Sequence, residues 1–177
     1  MVSTYETNLP ADWINTLGDA IIEHIDLNLL LKNIPEISFP APSEPVIFPS
    51  PKVRIAIARD AAFCFYYEDN FRLLQKAGAE LVEFSILHDT KLPHKIHAIY
   101  IGGGFPEEHA KKLSENTKMR EAIRTFPNVV WAECGGMMYL CESFLDEKNI
   151  AYPMCGRISG KQKCRAIWQV LGAEKCF

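Results

Sequence analysis

The chain has 177 residues, which is enough for one ordinary domain with a modest core but not for two full ones. Apolar residues at 48% and charged residues at 23% lie near the globular average and exclude disorder throughout. The net charge of −3 gives no basic field for nucleic acid, and no apolar run approaches the roughly 20 residues of a membrane span. We therefore expect neither nucleic acid nor a membrane as a partner.

The cysteines and histidines predict reduced thiols and no metal. The six cysteines include no C-x-x-C pair, and the N-terminus shows no signal-peptide pattern, so a cytoplasmic protein with free thiols is expected. His88, His94 and His97 cluster, but lysines and a proline separate them and no cysteine pair accompanies them. That spacing favours a solvated loop over a zinc site.

Charge and proline content separate an N-terminal arm from the rest of the chain. Residues 1–51 hold seven acidic residues and one basic residue, and six of their prolines fall between Pro35 and Pro51. Dense proline fixes φ, so 35–51 is predicted to be an extended linker. Before it, Asp12–Leu31 repeats apolar residues at helical spacing, interrupted by Gly18, with Asp26 placed to cap a second helix. Residues 1–34 are thus predicted to be a helical arm, and 52–177 the main domain.

After the linker, strand and helix patterns alternate. Short apolar runs predict strands at Val53–Ala58, Glu80–Phe84, His97–Ile101 and Val129–Ala132. Amphipathic patterns predict helices at Tyr67–Ala77, Glu107–Phe126, Gly136–Ser143 and Cys164–Leu171. This alternation indicates an α/β fold with a parallel sheet and flanking helices.

The sharpest motif is Ala132-Glu133-Cys134-Gly135-Gly136, between a predicted strand and a predicted helix. A nucleophile on such an elbow needs small neighbours because the turn is tight and strained. The following helix N-terminus would favour a thiolate at Cys134, and the Gly135 amide could face a developing oxyanion. A buried cysteine packed in a glycine turn remains the alternative interpretation.

Two further loops also follow strands. The first, Gly102-Gly103-Gly104 with Phe105-Pro106-Glu107, lets the backbone approach a ligand closely, but it lacks the G-K-[ST] of a phosphate loop. It fits an oxyanion loop better, or simply a turn. The second, Arg59–Tyr67, is rich in aromatic residues and has no assigned role. In a parallel sheet, all three loops should meet at the carboxyl edge, where such folds bind ligands.

Together the segments IAIARDAAFCFYYEDN, IYIGGGFPEEHA and WAECGGMMYL resemble the glutamine amidotransferase half of the cobyrinate a,c-diamide synthase family. The resemblance covers roughly residues 52–154, and EHIDLNLLL resembles the end of the family's synthetase domain. It implies a flavodoxin-like, class I glutamine amidotransferase-like fold that is incomplete here. It also implies a ligase of cobalamin biosynthesis that uses glutamine, ATP and magnesium.

The resemblance assigns roles to particular residues. Cys134 would attack the glutamine carboxamide and form a thioester, while Gly103, Gly104 and Gly135 would form the oxyanion hole. No cofactor or metal is expected on this segment itself, because the P-loop G-x-x-x-x-G-K-[ST] is absent.

The chain departs from the family pattern at the catalytic base. The family uses a histidine downstream of the cysteine, whereas all five histidines here precede Cys134. The chain alone is therefore predicted to be inactive, needing a complementing chain with the synthetase domain and the histidine. The alternative is a non-catalytic binding or regulatory module, or a truncated relic, that keeps the elbow without turnover.

Overall fold

A computed structural model describes residues 12–36, 38, 49–146 and 148–163. Contacts divide the chain into two units, Met1–Ile47 and Phe48–Phe177. The helices are α1 (Trp13–His24), α2 (Leu27–Asn33), α3 (Glu68–Lys76), α4 (Ala110–Glu115), α5 (Thr117–Arg124) and α6 (Gly135–Leu140). The strands are β1 (Val53–Ala58), β2 (Ala79–Phe84), β3 (Ala98–Ile101), β4 (Val129–Ala132), β5 (Ser143–Leu145), β6 (Ala151–Pro153) and β7 (Lys161–Lys163). Within these ranges, no helix is long and apolar enough to cross a bilayer.

The first unit contains the two predicted helices. The Asp26 side chain accepts a hydrogen bond from the Leu29 amide at 2.9 Å, which confirms Asp26 as the cap of α2. Helix α1 continues through Gly18, contrary to the predicted interruption there. No residue of either helix is buried, and their isoleucines and leucines are exposed within this unit. Most of the predicted linker at 35–51 lies outside the described residues.

The second unit is built on a four-stranded parallel sheet in the order β2-β1-β3-β4. The predicted α/β fold with a flavodoxin-like parallel sheet is confirmed, and all four predicted strands lie within a residue of their expected bounds. A small second sheet has the order β6-β5-β7.

Alternation along the strands creates two apolar layers. Ala56 and Ala58 of β1 and Ile99 of β3 face the larger core, which includes residues of α4, α5 and α6. Ile57 of β1 and Tyr100 of β3 face the smaller layer against α3. Because side chains alternate across a strand, both faces of these strands are buried, as expected for parallel strands.

The prediction of one long helix at Glu107–Phe126 is wrong, because the structure has two short helices there, separated at Asn116. Residues 107–109 form a turn, α4 ends at Glu115, and Asn116 (φ −78°, ψ 66°) leaves helical geometry. The Asn116 side chain accepts from the Met119 amide at 3.3 Å and donates to the carbonyls of Ile86 and Asp89 at 2.7 and 2.8 Å. Amphipathic spacing continues across the break, so sequence periodicity alone did not reveal it.

The predicted helix at Gly136–Ser143 is too long at its C-terminal end. Helix α6 ends at Leu140 and Cys141 is extended (ψ 173°), because the following residues pair with segments further along the chain. The Glu142 amide donates to the Gly160 carbonyl, and the Glu142 carbonyl accepts from the Met154 amide, both at 2.9 Å. The predicted helix at Cys164–Leu171 lies outside the described residues.

Replacing Asn116 with alanine is expected to lower the free energy of unfolding by about 2–3 kcal/mol, since it removes a helix cap and leaves two carbonyls without donors. Urea denaturation followed by circular dichroism measures this change. Ser114→Ala removes a neighbouring exposed hydrogen bond and should cost no more than about 0.5 kcal/mol. Equal decreases in the free energy of unfolding for the two variants would contradict the role of the Asn116 hydrogen bonds in joining this helix to residues 86 and 89.

Candidate active site

Cys134 occupies a strained backbone position directly after β4. Its φ of 47° and ψ of −113° lie in a region that residues other than glycine rarely adopt. Backbone hydrogen bonds fix the chain on either side of Cys134. The Glu133 amide donates to the Ile101 carbonyl at 3.0 Å, and the Gly136 amide donates to the Glu133 carbonyl at 2.8 Å. The side chain is exposed. Strain at an exposed nucleophilic side chain is the geometry predicted for a nucleophile elbow.

The glycines after Cys134 are required by close approach of the backbone. A Cβ at position 136 would overlap the Ile101 carbonyl oxygen and lie 2.9 Å from that of Gly102. A Cβ at position 135 would lie 2.8 Å from Pro106 Cδ and 3.2 Å from the Gly104 nitrogen. Helix α6 therefore begins against the glycine loop that follows β3.

The three predicted glycines and Cys134 lie together. A Cβ on Gly103 would stand 3.4 Å from Cys134 Cβ and 3.8 Å from its Sγ. The Gly103 amide, however, donates to the Phe65 carbonyl at 3.2 Å, and the Phe65 amide donates back to Gly103 at 3.0 Å. Gly103 thus packs beside the thiol with its donor in use.

The amides of Gly104 and Gly135 differ from that of Gly103 in their hydrogen bonding. Neither donates a backbone hydrogen bond within the part of the chain that the structure describes. The positions are adjacent, because a Cβ on Gly135 would lie 3.2 Å from the Gly104 nitrogen. Two neighbouring unpaired amides beside an exposed thiol can stabilise negative charge that develops on a carbonyl oxygen.

The aromatic loop at 59–67, to which the sequence assigned no role, holds the glycine loop. The Tyr66 hydroxyl donates to the Ala58 carbonyl and accepts from the Gly102 amide at 2.8 Å. The Phe105 amide donates to the Ala62 carbonyl at 3.0 Å. Burial raises the pKa of Tyr66 above its ordinary value, so the phenol keeps the proton it donates. The density of aromatic residues in 59–67 was the sequence feature that pointed to this structural role.

Asp60, which the sequence did not single out, organises the same loop. Its Oδ1 accepts from the amides of Ala62 and Phe63 at 2.9 and 3.2 Å. Its Oδ2 accepts from the Ser85 hydroxyl at 2.8 Å and from the Leu87 amide at 2.9 Å. One carboxylate therefore ties the loop after β1 to the loop after β2, and an aspartate just after a strand was the only sequence signal.

Glu133 belongs to the elbow motif, but the sequence assigned it no role. Its carboxylate accepts from the Trp131 indole nitrogen at 2.8 Å and from the Tyr100 hydroxyl at 3.1 Å. Burial, with the neighbouring Glu133 carboxylate, raises the pKa of Tyr100, which keeps this phenol protonated as a donor. The side chain of the residue before Cys134 thus lies among aromatic groups that donate hydrogen bonds to it.

The structure shows the surroundings of three of the five histidines. His97 Nδ1 accepts from the Arg54 amide at 2.9 Å, and His24 lies on α1 in the other unit. His109 precedes α4 and has a buried Nε2 with no hydrogen-bond partner among the described residues. None of the hydrogen bonds of these three histidines involves Cys134.

Cys134 is expected to be the first of the four described cysteines to react with a limiting amount of iodoacetamide, at least about tenfold faster than Cys64. Cys134 is exposed, whereas burial raises the pKa of the half-buried Cys64 and raises that of Cys155 to about 11. Cys141 is also buried. Peptide mass spectrometry assigns the label, and first modification of Cys64 or Cys141 would contradict the elbow geometry.

Known proteins match the part of the chain that contains this site. A family model described as the CobB/CobQ-like glutamine amidotransferase domain covers residues 54–172. The cobyrinate a,c-diamide synthase of Dehalococcoides mccartyi is 44% identical over 167 residues, 89% of this chain and 36% of the relative. Those of Priestia megaterium and Synechococcus sp. are 36% and 51% identical, over 97% and 60% of this chain and 38% and 24% of the relatives.

The chain spans little more than a third of the length of the curated relatives that it matches over most of its own length. The family model nevertheless includes the loop at 59–67, the glycine loop and the elbow, which are the three segments that converge on Cys134. Sequence, fold and site thus agree, and the chain belongs to the CobB/CobQ-like glutamine amidotransferase family.

Proposed function

We propose that the chain supplies the nucleophile and the oxyanion donors of the glutaminase half of an ATP-dependent cobyrinate a,c-diamide synthase. That enzyme would release ammonia from glutamine and use it to amidate a corrin in cobalamin biosynthesis. The observation that carries the proposal is the exposed Cys134 at a strained elbow, beside the unpaired amides of Gly104 and Gly135. The names of the relatives support the choice of ligase.

The chemistry that these groups can perform is acyl transfer. The Cys134 thiolate would add to the carboxamide carbon of glutamine, and the Gly104 and Gly135 amides would hold the resulting oxyanion. The carbon–nitrogen bond then breaks, and ammonia leaves with the proton given up by the thiol. Water hydrolyses the glutamyl thioester, which releases glutamate and restores the thiol.

The proton that moves between thiol and ammonia needs a base. None of the five histidines follows Cys134; the side chains of His24 and His97 form their hydrogen bonds elsewhere, and the buried Nε2 of His109 has no hydrogen-bond partner among the described residues. We therefore propose that a complementing polypeptide provides the base, and that turnover by this chain alone is slower by about 10²–10⁴-fold, the usual contribution of general acid–base catalysis.

ATP and magnesium would bind outside this chain. The glycine loop does not fit a triphosphate, because the Gly102 amide donates to Tyr66 and the Gly103 amide donates to Phe65. A phosphate loop needs such amides to be free and a following lysine, and Phe105 stands after the glycines here. We propose that both belong to a synthetase domain of the complete enzyme.

A cytoplasmic location is part of the proposal. A nucleophilic cysteine must remain reduced, and the cytosol maintains thiols in that state.

A second candidate is a scaffold that binds without turnover. The pairing of the Gly103 amide with Phe65 favours it, since one of the three predicted oxyanion donors is in use. The two functions differ in whether a glutamine-like electrophile can react at the elbow.

The test is labelling with diazo-oxo-norleucine, a glutamine analogue with a reactive ketone, followed by peptide mass spectrometry. We expect modification confined to Cys134 and suppressed by excess glutamine but not by excess asparagine. Cys134→Ser should remove the label, and Cys64→Ser should leave it unchanged. A folded chain that takes no label, or takes it equally with and without glutamine, would favour the scaffold.

A further inference from the structure

Phe65 is exposed on a loop whose neighbouring aromatic side chains are packed. It is 62% exposed, whereas Phe63, two residues earlier, is fully buried, with its ring edge-on to that of Tyr139 at a centroid distance of 5.5 Å. The ring of Tyr66, the next residue, lies edge-on to that of Tyr100 at 5.3 Å. Among the described residues, the Phe65 ring has no aromatic partner. Core packing therefore does not account for an aromatic side chain at this position.

The backbone fixes Phe65 next to the nucleophile. The Phe65 amide donates to the Gly103 carbonyl at 3.0 Å, and the Phe65 carbonyl accepts from the Gly103 amide at 3.2 Å. A Cβ added to Gly103 would lie 3.2 Å from Phe65 Cβ, 3.4 Å from Cys134 Cβ and 3.8 Å from Cys134 Sγ. The side chains of Phe65 and Cys134 therefore flank one point, which is where a Gly103 side chain would be.

The space beside Gly103 explains why a glycine stands there. Gly103 is not one of the glycines with a positive φ, so backbone conformation does not require it. A Cβ would instead fill the space between Phe65 and the thiol, and would lie closer to Phe65 Cβ than ordinary van der Waals contact. A ligand carbon that approaches Sγ through this space has the Phe65 side chain beside it. Gly103 thus keeps room for a ligand between a nucleophile and an apolar side chain.

We propose that Phe65 is a specificity-determining residue whose ring packs against the side-chain methylenes of glutamine. This assignment rests on the proposed function, since it takes glutamine as the substrate of Cys134, and it names the group that binds the aliphatic part of that substrate. The methylenes between the α-carbon and the carboxamide of glutamine are apolar, and an aromatic ring removes them from water. The amides of Gly104 and Gly135 can hold the carboxamide oxygen but not this aliphatic part.

Contact with the ring would favour glutamine over asparagine. Both amino acids carry a carboxamide, but asparagine has one methylene fewer, so it cannot place its carboxamide at the thiol and fill the space beside the ring in the same way. One methylene in an apolar contact changes discrimination by about 10–200-fold. Because Phe65 is one wall of an open site, we expect a value near the lower end. The paired backbone of Phe65 and Gly103 holds the ring in place before the ligand binds, which lowers the entropic cost of the contact.

The first experiment measures binding without reaction, in the full chain with Cys134→Ser. Saturation-transfer NMR identifies the glutamine protons that contact the chain, and a titration gives the affinity. We expect the strongest transfer at the side-chain methylene protons and about tenfold weaker binding after Phe65→Ala. Phe65→Leu keeps an apolar side chain and should weaken binding by no more than about threefold. The affinity for asparagine should change less than that for glutamine in both variants.

The second experiment separates binding from reaction in the chain that keeps Cys134. Phe65→Ala should raise the concentration of diazo-oxo-norleucine that gives half-maximal labelling about tenfold, and should leave the maximal rate within about threefold. Alkylation by iodoacetamide should also stay within about threefold, because this reagent lacks the methylenes that the ring contacts. Urea denaturation checks that each variant is folded, which is expected because Phe65 is exposed.

Tyr67→Ala is the matched control. Tyr67 is an aromatic residue of the same loop and is 70% exposed, and its side chain forms no capping hydrogen bond to α3. We expect this variant to bind glutamine and to react with both reagents as the unmodified chain does. Equal weakening of glutamine binding by Tyr67→Ala and Phe65→Ala would show a general effect of the loop and would overturn the assignment of Phe65.

The remaining outcomes distinguish this assignment from the proposed function. Unchanged glutamine binding and labelling after Phe65→Ala would overturn the role of Phe65 and leave Cys134 as the nucleophile. Glutamine binding that depends on Phe65, without any labelling by diazo-oxo-norleucine, would support the contact and overturn the nucleophilic role. A folded chain that binds no glutamine would overturn the assignment of Phe65.

Discussion

Replacing Gly136 with alanine is expected to destabilise the second unit by about 3 kcal/mol or more and to abolish labelling of Cys134 by diazo-oxo-norleucine. The added Cβ would overlap the Ile101 carbonyl oxygen and stand 2.9 Å from the Gly102 carbonyl oxygen. Both obstacles are backbone atoms of the end of β3 and the glycine loop, so no side-chain rotation can relieve them. The elbow and the glycine loop would have to separate.

The matched control is Gly18→Ala, whose Cβ meets nothing within 4 Å inside α1. Since alanine is a better helix former than glycine, this change should be neutral or stabilising by about 0.5–1 kcal/mol. Urea denaturation and labelling kinetics measure both variants. A Gly136→Ala chain with unchanged stability and labelling would show that α6 does not start against β3 as described.

The features that could be predicted from the sequence are those encoded locally. The strand runs, the Asp26 cap and the Cys134 elbow each depend on a few consecutive residues, and the structure contains all three. The elements that were missed depend on distant contacts. The break at Asn116 is fixed by carbonyls about 30 residues away, and β5 forms by pairing with β6 and β7, which come later in the chain.

The candidate site also has features that the sequence could predict and features that it could not. The sequence placed Cys134 and the three glycines together because parallel strands bring their following loops to one edge. It could not show which amides are free, since the Gly103 amide is taken by Phe65 and the Gly102 amide by Tyr66, 36 residues earlier. Donor availability is a property of the packed loops, not of the motif.

This hydrogen-bonding pattern suggests that the glycines near the elbow have two different roles. The amides of Gly102 and Gly103 hold the loop, whereas those of Gly104 and Gly135 donate no backbone hydrogen bond among the described residues and so could serve the proposed oxyanion hole. Rigid fixation of the first two is useful, because an oxyanion hole stabilises a transition state only when its donors are already in place. The strained Cys134 is held by other backbone hydrogen bonds, from the Glu133 amide to the Ile101 carbonyl and from the Gly136 amide to the Glu133 carbonyl.

Replacing Gly104 with alanine is therefore expected to slow labelling of Cys134 by diazo-oxo-norleucine about 100-fold or more, and alkylation by iodoacetamide by no more than about threefold. Gly104 has a φ of 155°, and a Cβ there would overlap the carbonyl oxygen of the fully buried Ala62. The loop must shift and carry the Gly104 amide away from the thiol. Iodoacetamide reacts by displacement of iodide from its CH2 carbon, and no negative charge has to develop on its carbonyl oxygen, so it does not need this amide. A glutamine analogue held at the elbow would place its ketone oxygen at the proposed oxyanion donors.

Gly160→Ala is the matched control, because Gly160 has a similar φ of 142° but a Cβ there meets nothing within 4 Å. It should share any general cost of a positive φ in an alanine and leave both labelling rates unchanged. If Gly104→Ala slowed the two reagents equally, the loop would act by holding Cys134 in place. Since the amide would then have no separate effect on the glutamine analogue, the assignment of Gly104 to the oxyanion hole would fail.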